Sequence, residues 1–120
     1  MRIHINTGIN TMNEIIYQEL MKIARKKTVT YYSDIAPLAG LNMDLPEDRV
    51  RIGQLLDDIN HDEHTNGRPL ISAVVVHKGA LRPGEGFFKM AKDWGIFKGN
   101  DSDTFYIQEL RKVHDYWSTH

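Results

Sequence analysis

The chain has 120 residues, a formal net charge of −1 and no cysteine. This length is typical of one domain, so we expect residues 1–120 to form a single domain without disulfides. The lack of cysteine excludes thiolate metal ligands, cysteine nucleophiles and iron–sulfur clusters. The near-neutral charge excludes the global basic field of many nucleic-acid-binding proteins. Because no signal-peptide pattern or membrane-length apolar run is present, we expect a cytoplasmic protein with no membrane partner.

The first part of the chain predicts a strand and a helix. Apolar and polar residues alternate over residues 2–6, which indicates a short edge strand. Thr11 and Glu14 have the spacing of a capping box, in which a hydroxyl and a carboxylate satisfy free backbone N–H groups. Apolar residues then recur at helical intervals, so we predict a first helix that ends near Lys27.

Two further helices are predicted in the middle of the chain. The β-branched and aromatic residues 28–32 favour an extended segment, after which Ser33 can cap a short helix that Gly40 closes. A longer helix is predicted to begin at residues 44–47, with Pro46 near its first position, and to be followed by a turn at residues 61–64. Its buried stripe is formed by Ile52, Leu55, Leu56 and Ile59.

The last third of the chain predicts a strand followed by two helices. Residues 70–76 form a nearly continuous apolar run, which predicts a buried central strand. Residues 82–86 have turn chemistry, and a helix is predicted to follow and to end at Gly95. Ser102 is the candidate cap of a final docking helix. The apolar stripe of that helix comprises Tyr106, Leu110, Val113 and Trp117.

The order of these elements predicts an α+β fold that is rich in helix and winged-helix-like. A short helix, a turn, a longer helix, a strand and a glycine-rich loop are the parts of a helix-turn-helix followed by a small β wing. The C-terminal helix would dock on this unit.

A family resemblance is carried by Thr30, Tyr31, Tyr32, Ser33, Asp34, Ile35, Ala36, Gly40, Arg49, Val50, Arg51, Ile52 and Gly53. With these residues, about half of the chain resembles the winged-helix domain of the DNA alkyltransferase and alkyltransferase-like family. In that family the arginine that opens the longer helix enters the DNA minor groove, and the resemblance carries this role to Arg49. The family's reactive segment reads Pro-Cys-His-Arg-Val, with tryptophan replacing cysteine in the alkyltransferase-like members. Here residues 72–76 replace that segment, so alkyl transfer is excluded.

Charge is distributed unevenly, and this asymmetry gives the leading functional hypothesis. Residues 44–63 contain seven acids and two arginines, a net charge of −5. Such a surface suits a non-catalytic protein that sequesters a basic protein partner, as immunity-type inhibitors do with nuclease toxins. We predict no catalytic residue, no metal and no cofactor. The predicted partner-binding residues are Asp48, Asp57, Asp58, His61, Asp62 and Glu63.

The alternative hypothesis is a winged-helix protein that binds DNA or RNA. Basic residues at the end of the first helix and around the predicted wing would neutralise phosphates, whereas the acids of the longer helix would repel them. The candidate residues are Arg25, Lys26, Lys27, Tyr32, Arg49, Arg51, Lys78 and Arg82.

Two local patterns leave a choice open. Asp57, His61 and His64 follow one another at helical spacing, which suits either a zinc-type ion or the solvated end of an amphipathic helix. Residues 82–86 lead directly into a helix, which suits either an anion held by backbone N–H groups or an ordinary wing tip.

Overall fold

The computed structural model describes residues 8–120, with side chains from Asn13 onward. This part of the chain is helix-rich with one small sheet, which agrees with the predicted α+β class. The edge strand predicted at residues 2–6 lies outside the described residues. Two 3₁₀ turns, Ala36–Ala39 and Ile71–Val74, connect the elements. The helices and strands are α1 (Gly8–Arg25), β1 (Thr30–Tyr31), α2 (Tyr32–Ile35), α3 (Pro46–Thr65), β2 (Val75–Val76), α4 (Glu85–Asp93) and α5 (Ser102–Ser118).

The core forms where α1 packs against α3, α5 and both 3₁₀ turns. Each of these helices places apolar residues at intervals of three and four, so that one stripe faces inward. All four residues of the stripe predicted on α3 are buried. On α5, Tyr106, Val113 and Trp117 are buried, and Leu110 is partly buried against the same core.

The two strands pair in parallel, with Thr30 opposite Val75 and Tyr31 opposite Val76. A wing is an antiparallel hairpin, which differs from this parallel pair of strands. After β2 the chain makes a tight turn, in which the His77 N–H donates to the Arg82 carbonyl at 2.9 Å. Residues 8–120 therefore show a helix-rich fold with a two-stranded sheet, and the winged-helix arrangement stays a prediction.

The strand predicted over residues 70–76 is largely wrong, because only Val75–Val76 is extended into the sheet. Side chains satisfy the backbone that a longer strand would have paired. The Leu70 N–H donates to Glu109 Oε2 at 2.8 Å, and the Ser72 N–H donates to Asn60 Oδ1 at 3.1 Å. Asn60 Nδ2 also donates to Ser72 Oγ at 2.6 Å, so two buried polar residues hold the 3₁₀ turn against α3.

Helix ends were predicted less accurately than helix positions. Helix α1 begins at Gly8, before the predicted cap Thr11. The cap of α5 is Asp101 rather than Ser102, because its carboxylate accepts from the Thr104 N–H at 3.0 Å. Helix α3 begins at Pro46, as predicted, and it continues through residues 61–64, which were predicted to form a turn.

Candidate functional site

The exposed side of α3 carries an acidic surface formed by Asp57, Asp58, His61 and Asp62, all four of which are exposed. Residues three and four apart lie on the same side of a helix, and the opposite side of α3 is committed to the core. These four positions of the predicted partner-binding set are therefore brought together as expected. The acidic surface extends over the second half of α3.

Glu63 is a correction to the predicted partner-binding set. Its side chain is buried, and Oε1 accepts from Tyr17 Oη at 2.8 Å and from Arg68 Nε at 2.8 Å. The carboxylate therefore fixes α1 and the segment after α3 to the core and is not offered to a partner. The sequence did not show this because Glu63 follows Asp62 in an acidic run.

Asp48 lies apart from the acidic surface, near the start of α3. Its Oδ2 accepts from the Asn42 N–H at 2.9 Å, which closes the turn before the helix. Asp48 is only partly exposed, so its main observed role is to order this turn.

His61 and His64 both contact the ring of Trp94. The His61 ring meets Trp94 edge-on with centroids 5.6 Å apart, and the His64 ring stacks on it at 6.0 Å. Within residues 13–120 no group of three or more His, Asp and Glu side chains is arranged to hold a metal ion. The partly exposed Trp94 instead provides an aromatic border to the acidic surface.

A cleft of about 270 Å³ opens beside the acidic surface, between α3, the residue that follows β2 and the start of α4. Its apolar wall comes from α3 and α4, and its polar groups come from four different parts of the chain. Sequence reasoning did not identify this cleft as a site. It is lined by Tyr32, Met43, Arg49, Ile52, Gly53, Leu56, Asp57, Ser72, His77, Gly84, Gly86 and Phe87.

Tyr32, His77 and Gly84 form one wall of the cleft. The Gly84 N–H donates to Tyr32 Oη at 2.9 Å, and the His77 ring lies against the Tyr32 ring with centroids 4.5 Å apart. A methyl group at Gly84 would lie 3.1 Å from His77 Nε2, so glycine permits this close approach. Burial raises the pKa of the Tyr32 hydroxyl above its ordinary value, which already lies well above neutral pH.

Asp57 belongs to both the acidic surface and the cleft. Its partial burial, followed by repulsion from Asp58, raises the pKa of its carboxyl above the usual value. No hydrogen bond or cation among the described residues opposes this shift. Ionised Asp57 is therefore a carboxylate without a partner at the mouth of an aromatic cleft.

Asp57→Asn is expected to stabilise the fold at neutral pH. The carboxyl binds its proton more tightly in the folded than in the unfolded state, so its ionisation destabilises the fold as pH rises above the usual aspartate pKa. Solvent screens much of this penalty, and we expect a gain of about 0.5 kcal/mol. Thermal unfolding followed by circular dichroism would show the gain at pH 7 and its disappearance near pH 3. An equal gain in stability at both pH values would contradict a raised pKa of Asp57 as the cause.

Three residues of the nucleic-acid alternative, Tyr32, Arg49 and Lys78, line one depression of the surface. Lys26 and Lys27 are exposed at the end of α1, where the Arg25 guanidinium lies 5.4 Å from the centroid of the Trp117 ring. The Lys78 ammonium lies over the Tyr31 ring at 5.5 Å, beyond the end of β2.

The other three arginines of that alternative also have intramolecular contacts. Arg49 Nε donates to the Met43 carbonyl at 2.6 Å, and an Arg51 nitrogen donates to the Gln54 side chain at 3.3 Å. Arg82 forms an ion pair with Asp103 at the start of α5 and is only partly exposed. Arg82 is therefore a correction to its prediction as a free cation on a wing.

The anion-binding interpretation of residues 82–86 also loses support. Arg82 is directed to α5, and Lys89 pairs with Asp93 at 2.7 Å. The exposed Glu85 carboxylate, in the first turn of α4, would repel an anion there.

No family model, characterised protein or solved structure matches the chain. The resemblance to the alkyltransferase-like family is therefore a proposal. No helix within residues 8–120 is long and apolar enough to cross a membrane.

Proposed function

We propose that this protein is a non-catalytic binding protein whose acidic surface on α3 sequesters a basic protein partner. The observation that carries the proposal is the grouping of Asp57, Asp58 and Asp62 on one exposed helix face. None of the three carboxylates belongs to an ion pair within residues 13–120. Their negative charge is therefore available to an external cation.

Charge of one sign on a helix face favours fast and selective association. Long-range attraction raises the rate at which an oppositely charged protein meets the surface, and like-charged proteins are excluded. Trp94 lies at the border of the same surface, and tryptophan is enriched among the residues that contribute most to binding. The combination of exposed acids with a partly exposed indole suits a protein interface.

Within this proposal, a nuclease toxin is the favoured partner class. Nucleases present lysine and arginine side chains to substrate phosphates, and carboxylates can occupy the same positions. A protein of this kind would act as an immunity-type inhibitor in the cytoplasm.

Affinity capture from the source organism, with nucleic acid removed from the lysate, tests this function. The tagged wild-type chain is compared with Asp57→Asn/Asp58→Asn, and captured proteins are identified by mass spectrometry. We expect wild type to retain a basic protein. The amount that the variant retains is expected to fall by about tenfold or more, because two carboxylates that attract the partner are neutralised.

The matched control is Asp34→Asn/Asp115→Asn, which removes the same charge from exposed positions on α2 and α5. This control is expected to retain the partner. If both double variants retain it equally, or if no captured protein is basic, the proposed function is wrong.

Winged-helix binding to nucleic acid is the second candidate. It is favoured by the order of α2, α3 and β2, by the exposed cations at the end of α1, and by Lys78 beside Tyr31. Under this alternative, the role implied for Arg49 is contact with the minor groove. Fluorescence anisotropy with a mixed-sequence DNA duplex at several salt concentrations separates the candidates, because phosphate contacts give a steep salt dependence. Salt-dependent binding that Asp57→Asn/Asp58→Asn strengthens would favour nucleic acid.

A further inference from the structure

The cleft beside α3 is lined by an aspartate that is in no ion pair among the described residues. Asp57 lies at its mouth, and the ion pairs within residues 13–120 do not include it. Arg49 also lines the cleft but is two helical turns away, roughly 12 Å along the axis, and its guanidinium donates to the Met43 carbonyl. The cleft therefore lacks a cation at the place where its carboxylate is.

The walls of the cleft are suited to a flat cation. The buried Phe87 lines the cleft, and the rings of Tyr32 and His77, which are tilted by 32° to each other, form one side. A guanidinium group is planar, stacks on aromatic rings and is more weakly hydrated than an ammonium group. It can also donate two parallel hydrogen bonds to one carboxylate.

We propose that the cleft receives an arginine side chain of the basic partner, with its guanidinium paired to Asp57 and stacked between the aromatic walls. The volume of about 270 Å³ corresponds to roughly nine water molecules, which is enough to contain the side chain. Since the arginine belongs to the partner, this proposal rests on the proposed function. It adds that one inserted side chain anchors the complex, whereas the rest of the acidic surface attracts the partner.

The test uses the full chain and the capped tripeptide acetyl-Gly-Arg-Gly-amide in an NMR titration. Saturable shifts are expected at the backbone amides of Ser72, Gly84 and Gly86, which line the cleft. Replacing arginine by citrulline keeps the shape and removes the charge, so we expect about tenfold weaker binding or more. Lysine in the same tripeptide is expected to bind more weakly than arginine because it cannot stack as a plane.

Two variants locate the binding. Asp57→Asn removes the charge, and Gly84→Ala places a methyl group 3.1 Å from His77 Nε2 without altering any charge. Both are expected to weaken the tripeptide severalfold or more. Asp62→Asn and Gly79→Ala are matched controls, because neither residue lines the cleft and a methyl group at Gly79 meets no atom within 4 Å.

The outcomes separate this proposal from the proposed function. No saturable shift with wild type, equal binding of the citrulline peptide, or unchanged binding by both cleft variants overturns the arginine site. Capture of a basic protein can still succeed in that case. Conversely, tripeptide binding at the cleft without any captured basic protein supports a guanidinium site and overturns the protein-sequestering function.

Discussion

Arg68→Ala is expected to lower the free energy of unfolding by about 3 kcal/mol, because it leaves the buried Glu63 carboxylate without its cation. The Glu63 side chain is 1% exposed, whereas that of Arg68 is 26% exposed, so water can replace only part of the lost interaction. Tyr17 would remain the single donor to Glu63 among the described residues. Urea unfolding followed by circular dichroism measures the loss.

Two controls show whether the unpaired charge is the cause. Adding Glu63→Gln to Arg68→Ala is expected to recover part of the lost stability, because the amide is neutral. Lys89→Ala breaks the exposed pair with Asp93 and is expected to have no measurable effect. A loss below about 1 kcal/mol for Arg68→Ala would show that Glu63 is not held as an essential buried ion pair.

Phe88→Ala is expected to destabilise the fold by about 4 kcal/mol. Phe88 is 5% exposed and packs against the rings of Phe87, Phe97, Phe105 and Tyr106, with centroids 5.3–6.5 Å away. Removing its ring would leave a cavity where α4 meets α5, and a close-packed core collapses only partly around such a cavity.

Ile107→Ala is the matched control on α5, because Ile107 is 56% exposed. It is expected to change stability by no more than about 0.5 kcal/mol. Both variants are compared with wild type by urea unfolding. Equal effects of the two substitutions would contradict the placement of Phe88 at the centre of the aromatic cluster.

Helical periodicity predicted the long helices because burial against the core requires one apolar stripe. The residues Ile52, Leu55, Leu56 and Ile59 have this spacing, and all four are buried. The apolar run at residues 70–76 is nearly continuous and has no such spacing, so periodicity did not indicate its structure. Its 3₁₀ turn depends on side chains of α3 and α5, which are distant in the sequence.

The acidic surface was largely predictable, and the cleft was not. Asp57, Asp58, His61 and Asp62 lie within six residues, so one helix brings them together. Glu63 was misplaced because its partners Tyr17 and Arg68 come from other segments. The cleft depends on long-range contacts, including that between Tyr32 and Gly84. The sequence feature that corresponds to this wall of the cleft is the glycine-rich turn at residues 82–86, which contains Gly84.

Hydrogen–deuterium exchange of the captured complex tests most directly whether α3 binds the partner. The acidic surface is expected to gain protection on binding, with the largest change at Asp57, Asp58, His61 and Asp62 and at the neighbouring Trp94. The cation-rich end of α1 and Lys78 are expected to stay unchanged. Protection confined to Arg25, Lys26, Lys27 and Lys78 would contradict binding through the acidic surface and would place the interface on the basic side of the molecule.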